Sequence, residues 1–113
     1  MSGDEVDNNR RHFRIQYSSS ERPVFIYKDK EFEITDISES GMNLVVDEEF
    51  TLVENQKVRG KIDFNGRNET EVKGIIRRII DKQLAVEFIV GVPLNMIMTE
   101  QRYLIQRANL EVD

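Results

Sequence analysis

Apolar residues in this chain come in short bursts separated by polar turns, which is the rhythm of a strand-rich protein. Pro23-Val24-Phe25-Ile26-Tyr27 is an apolar, β-branched and aromatic run that ends at Lys28-Asp29-Lys30. Such residues suit a pleated surface. Phe32 and Ile34 then alternate with Glu31, Glu33 and Thr35, the two-residue period of a half-buried strand. The turn-rich stretch Asp36 to Gly41 leads into Met42-Asn43-Leu44-Val45-Val46, and residues 47–56 read as an acidic loop.

Lys57 to Phe64 alternates most cleanly: Val58, Ile62 and Phe64 share one face, while Lys57, Arg59, Lys61 and Asp63 share the other. Asn65-Gly66 follows at once, a strong hairpin signal because a type I′ turn needs positive φ at both central positions. The returning strand runs from about Glu69 to Ile80, Asp81-Lys82 turns the chain, and Leu84, Val86 and Phe88 alternate in a last strand. Six strands joined by tight turns predict a mainly β protein, an antiparallel barrel or sandwich. After Pro93 the spacing changes: Gln101, Leu104, Ile105 and Ala108 fall at helical intervals, so Thr99 to Leu110 is expected as a C-terminal helix with Thr99 as its N-cap. Leu94 to Met98 is an alternative first turn of that helix.

Residues 1–9 carry no periodicity and are expected as a flexible tail, leaving 10–110 as the single folded domain. With 113 residues, 39% hydrophobic and 33% charged, the composition is that of an ordinary globular domain. No apolar run approaches the roughly 20 residues of a membrane span, and no secretory signal precedes the domain, so a cytoplasmic protein without membrane insertion is expected. There is no cysteine, which fits a reducing compartment. The net charge of −5 argues against an extended nucleic-acid surface, whose affinity comes largely from neutralised phosphates. The charges are not evenly spread, however. Asp4, Glu5 and Asp7 give way to Arg10, Arg11, His12 and Arg14, a small cationic spot suited to a compact anion.

Enzymatic chemistry finds little footing. His12 is the single histidine, no Gly-x-Ser-x-Gly elbow accompanies it, and His/Cys metal ligands and phosphate-cradling glycine loops are missing. Neither a cofactor nor catalytic residues are expected.

Two motifs remain. Arg10 and Arg14 form an RxxxR pattern ahead of the strands, and Asp36, Ser38 and Gly41 form DxSxxG between the second and third strands. In this order they resemble the two signatures of the PilZ domain family. The likeness extends to Arg14-Ile15, Gly74-Ile75-Ile76-Arg77 and Leu84-Ala85-Val86-Glu87-Phe88; Ala85 departs from the glycine many members carry there. The resemblance implies a six-stranded antiparallel barrel of Greek-key or split form, and a receptor for cyclic di-GMP that passes the signal to an unidentified downstream protein, in a process such as motility or biofilm control.

On that reading the residues have clear physical tasks. Guanidinium groups match phosphate or the O6/N7 edge of guanine in bidentate fashion, so Arg10 and Arg14, on an arm able to fold over the barrel, serve either. Arg11 adds a phosphate contact or stacks on a base. The Asp36 carboxylate accepts from guanine N1–H and N2–H, and Ser38 reaches phosphate or base. Gly41 is expected to supply positive φ and a close backbone approach. Arg77 and Arg78 are secondary candidates, set against a plain reading as rim charges. Phe13 and Ile15 are expected to anchor the arm by packing. One ligand or a stacked pair both fit. A competing reading makes the molecule a small barrel for protein interaction or single-stranded RNA, its motifs vestigial. Other bland readings stand beside these: a solvated basic arm, and an Asx-type turn closed by Gly41.

Overall fold

The computed structural model describes residues 14–46 and 51–112, with helix side chains through residue 108. The strands are β1 (Ile15–Gln16), β2 (Val24–Tyr27), β3 (Lys30–Ile37), β4 (Gly41–Val45), β5 (Lys57–Asp63), β6 (Glu69–Ile80) and β7 (Gln83–Val90), followed by helix α1 (Leu94–Val112). All pairings are antiparallel. The order is β1-β3-β2-β5-β6-β7-β4, and β4 pairs back onto β3, which closes β2 to β7 into a six-stranded barrel. Two-residue β1 is an addition to the predicted six. It pairs with the end of β3, Ile15 opposite Ile37 and Gln16 opposite Asp36, while β2 pairs with the beginning of β3. Closure removes the open edges that an antiparallel sheet would otherwise expose.

The alternation read from the sequence fills the barrel. Phe25, Phe32, Ile34, Leu44, Val58, Ile62, Phe64, Val72, Ile76, Leu84 and Val86 are all buried and form one cluster. The β5–β6 turn has Asn65 at φ 56° and Gly66 at φ 83°, with Arg67 N–H donating to Phe64 O at 3.0 Å. The type I′ expectation is met there.

Helix α1 begins at Leu94, a turn and a half before Thr99, so Thr99 is not its N-cap. Its Oγ1 instead donates to Asn95 O within the helix at 2.8 Å. Pro93 opens the helix, its carbonyl accepting from Met96 and Ile97 N–H. Proline has no N–H to lose there and a φ already suited to a first turn. Ile97 is fully buried, and Met96 and Leu104 pack against the core. Among the described residues no helix is long and apolar enough to cross a membrane.

A polar knot fastens the helix. Glu100, 2% exposed, accepts from Arg67 Nη2 at 2.6 Å and Nε at 3.3 Å, and from the Tyr17 hydroxyl at 2.9 Å. The Arg67 guanidinium lies 4.0 Å from the centre of the Tyr103 ring. A buried carboxylate is tolerable only with such a complement of donors. Burial first, and the Glu100 charge second, raise the Tyr17 phenol well above its ordinary range. Glu21, in the connection after β1, adds an ion pair to Arg107 at 2.5 Å.

Candidate functional site

The site grows from two β-bulges. In β3, Phe32 and Ile34 face inward, so strict alternation would also bury Asp36. A register shift against β4 between Ile34 and Asp36 resets the period: Ile37 takes the inside and Asp36 turns to the outer surface. In β6, a second shift between Ile76 and Arg78 does the same, leaving Arg77 and Arg78 both exposed in succession. These two irregularities put the candidate side chains on one outer face of the barrel.

The DxSxxG stretch is the β3–β4 hairpin. Ser38 N–H donates to Gly41 O at 2.9 Å, Ser40 N–H to Ser38 Oγ at 3.3 Å, and Phe88 N–H to Ser40 O at 2.9 Å, which ties the hairpin tip to β7. Ser38 is completely buried, and its hydroxyl also lies 3.1 Å from that of Ser40. Gly41 differs from its expected role. Its φ is not positive; it sits at the start of β4, where an added Cβ would come within 2.5 Å of Val86 O. Glycine is needed for the close passage of two strands, not for a left-handed turn.

Arg14 reaches this hairpin because Ile15 is pinned. Ile15 is buried opposite Ile37, so the residue before it projects beside Ser38. Arg14 Nη1 donates to Asp36 Oδ1, and Nη2 lies 3.3 Å from Ser38 Oγ. The last arginine of the first motif therefore binds the second motif directly. The two motifs are thus in contact through one fork. Asp36 is held from below as well, since Asn43 Nδ2 lies 2.9 Å from Oδ1 and 3.1 Å from Oδ2.

Register extends the site sideways. Asp36 opposes Asn43, Asn43 opposes Ala85, and Ala85 opposes Arg78, a continuous row across β3, β4, β7 and β6. Two open grooves share Asn43, Ala85 and Arg78. One, about 400 Å³, runs toward Arg14, Gly41 and Arg77; the other, about 360 Å³, runs toward Thr35, Gln83 and Ile80. Ala85 supplies a low floor between them. Arg77 Nε is paired with Glu87 Oε1 at 2.6 Å, whereas Arg78 has no ion pair among the described residues.

Of the predicted site residues, the structure thus brings together Arg14, Asp36, Ser38 and Gly41, with Arg77 and Arg78 across the groove. Arg10, Arg11 and Phe13 lie outside the described residues. Asn43 was missed, although inward Met42 and Leu44 on either side already place it on the outer face. Among the described residues no group of three His, Cys, Asp or Glu side chains gathers in a way that would hold a metal ion.

The family model for the PilZ domain matches residues 8–106. Among solved structures, the chain is similar to the PilZ domain with c-di-GMP of YcgR from Escherichia coli, at 18% identity and a TM-score of 0.67, over 90% of this chain and 98% of that one. It is also similar to the Legionella protein Lpg0364, at 15% identity and a TM-score of 0.62, over 85% and 98% of the two chains. A third likeness is to the MrkH–c-di-GMP complex of K. pneumonia, at 16% identity and a TM-score of 0.63, over 95% and 55%. No curated protein sequence matches significantly.

Proposed function

Because the chain belongs to the PilZ domain family, we propose that it is a non-enzymatic, cytoplasmic receptor for cyclic di-GMP. The observation that carries this reading is the Arg14 fork closed on Asp36 and Ser38 at the edge of an arginine-lined groove. Two related folds were solved with c-di-GMP.

In this account binding is an exchange of partners. Guanine offers N1–H and N2–H to the Asp36 carboxylate, in place of the single donor Arg14 Nη1. Arg14, released, turns its paired donors to a phosphate or to the O6/N7 edge of a base. Arg10 and Arg11, a short step earlier in the chain, add further donors to the phosphates. Arg78 and Arg77 supply positive charge on the far side of the groove, across the flat floor at Ala85. Because Asp36 already has good partners, the ligand gains only the difference between new and old contacts. With Arg14 repositioned, the face beside the β3–β4 hairpin presents a changed surface to a downstream protein, in a process such as motility or biofilm control.

A titration at two ionic strengths, with cyclic di-GMP in one arm and a short single-stranded RNA in the other, tests the reading. Binding of the dinucleotide at micromolar or lower concentration, with no comparable RNA binding, is expected. RNA binding with a steep salt dependence, and none of the dinucleotide, would favour the oligonucleotide-binding barrel instead. Arg10→Lys should weaken the dinucleotide because the planar fork is lost while the charge remains.

A further inference from the structure

We infer that Asn43 is the positioning residue for Asp36, and that through Asp36 it sets the preference for guanine. This rests on the cyclic di-GMP reading above.

Asp36 is crowded with donors. Oδ1 accepts from Arg14 and from Asn43 Nδ2 at 2.9 Å, and Oδ2 is 3.1 Å from the same Asn43 nitrogen. Thr35 Oγ1 lies 3.3 Å from Asp36 Oδ2 and equally 3.3 Å from Asn43 O, with a single hydrogen to give. The partners differ in permanence. Arg14 lies outside any strand, and its side chain is 44% exposed. Asn43 lies in the middle of β4, hydrogen-bonded into the barrel between β3 and β7, directly opposite Asp36. The direction of its amide is dictated by chemistry, because an ionised carboxylate only accepts.

An amide nitrogen shared by both oxygens, on a strand fixed in the barrel, holds the carboxylate head at one place on the groove wall. A carboxylate free to swing meets one N–H from many positions, but two parallel N–H groups from only one. Guanine presents two, N1–H and N2–H, whereas hypoxanthine lacks the exocyclic amine and presents N1–H alone. Loss of Asn43 therefore penalises guanine more than hypoxanthine. A residue needed only for folding would affect both ligands equally.

The test uses the full chain, with calorimetric titration of cyclic di-GMP and of cyclic di-IMP. Asn43→Ala should weaken cyclic di-GMP by about tenfold, the scale of one lost hydrogen bond to a charged group, and cyclic di-IMP much less. The preference between the two ligands narrows accordingly. Asn43→Asp keeps the size but sets a like charge against Asp36, and should lower guanine affinity further; it carries the test if the alanine variant does not fold. An unchanged preference in a folded variant, whether affinity is retained or falls equally for both, overturns the assignment of Asn43 alone. Failure of the unaltered protein to bind cyclic di-GMP overturns the receptor reading on which it rests.

Discussion

The Tyr17 hydroxyl donates to Glu100 Oε2 at 2.9 Å, which ties the segment carrying Arg14 to the C-terminal helix. Only Ile15 and Gln16 separate Tyr17 from the arginine that grips Asp36. Tyr17 N–H also donates to Thr35 O at 3.0 Å, next to Asp36 itself. The site and the helix are thus fastened to the same short stretch of chain.

Removing Arg67 should be costly because it strands Glu100. Arg67→Ala takes two donors from a carboxylate that is 2% exposed, leaving Tyr17 as its hydrogen-bond partner. A loss of about 3 kcal/mol is expected in chemical denaturation, on the scale of breaking a buried pair. Glu100→Gln should cost less, since it removes the buried charge while keeping the shape.

Tyr17 gives the fold an alkaline limit. Burial and the neighbouring Glu100 charge raise its folded pKa. The unfolded chain therefore gives up this proton first, beginning near pH ~10. Its stabilising contribution is complete below that pH and declines as the pH climbs above it. Thermal melting from neutral to alkaline pH should show Tyr17→Phe less stable near neutrality but with a shallower decline above pH ~10. Parallel curves for the two proteins would contradict the role given to this phenol.

Gly41→Ala should damage both fold and site. The new methyl group would press on Val86 O, so β4 and β7 must separate beside Asn43 and Ala85. Overpacking of this kind costs about 1–3 kcal/mol, and ligand affinity should fall with it. Gly66→Ala makes a useful contrast. Its Cβ meets open space, but φ is +83°, so backbone strain alone should cost about 1 kcal/mol and leave binding unchanged.

The two groove arginines should not be equivalent. Arg77 is committed to Glu87, while Arg78 ends the row from Asp36 through Asn43 and Ala85 without an ion pair among the described residues. Arg78→Ala should weaken cyclic di-GMP more than Arg77→Ala, and calorimetry on both variants ranks them. The reverse order would place the ligand on the Glu87 side of the groove.

Much of this was legible in the residues. Alternation over Lys57 to Phe64 and the Asn65-Gly66 turn foretold strands and hairpin, because side-chain period and turn chemistry are local properties. Motif spacing singled out Asp36, Ser38 and Gly41. The bulges were not legible, since they depend on how β3 and β6 slip against their neighbours. For that reason the exposure of Arg77 and Arg78 in succession could not be read, and Asn43 had no visible link to Asp36. The Glu100 knot was hidden for a related reason: Tyr17, Arg67 and Glu100 are far apart in sequence and meet only when the helix docks. Of the two helix starts the residues offered, Leu94 is the observed one, and Thr99, with good capping chemistry, lies a turn and a half inside it.

The central claim is that Arg14 and Asp36 exchange their mutual contact for cyclic di-GMP. Calorimetric titration of the unaltered chain, Arg14→Ala and Asp36→Ala with cyclic di-GMP tests it most directly. The account predicts saturable binding at micromolar or lower concentration by the unaltered protein, largely lost in both variants. Absence of binding by the unaltered protein with ligand on the order of tens of micromolar, or full affinity in either variant, would contradict it.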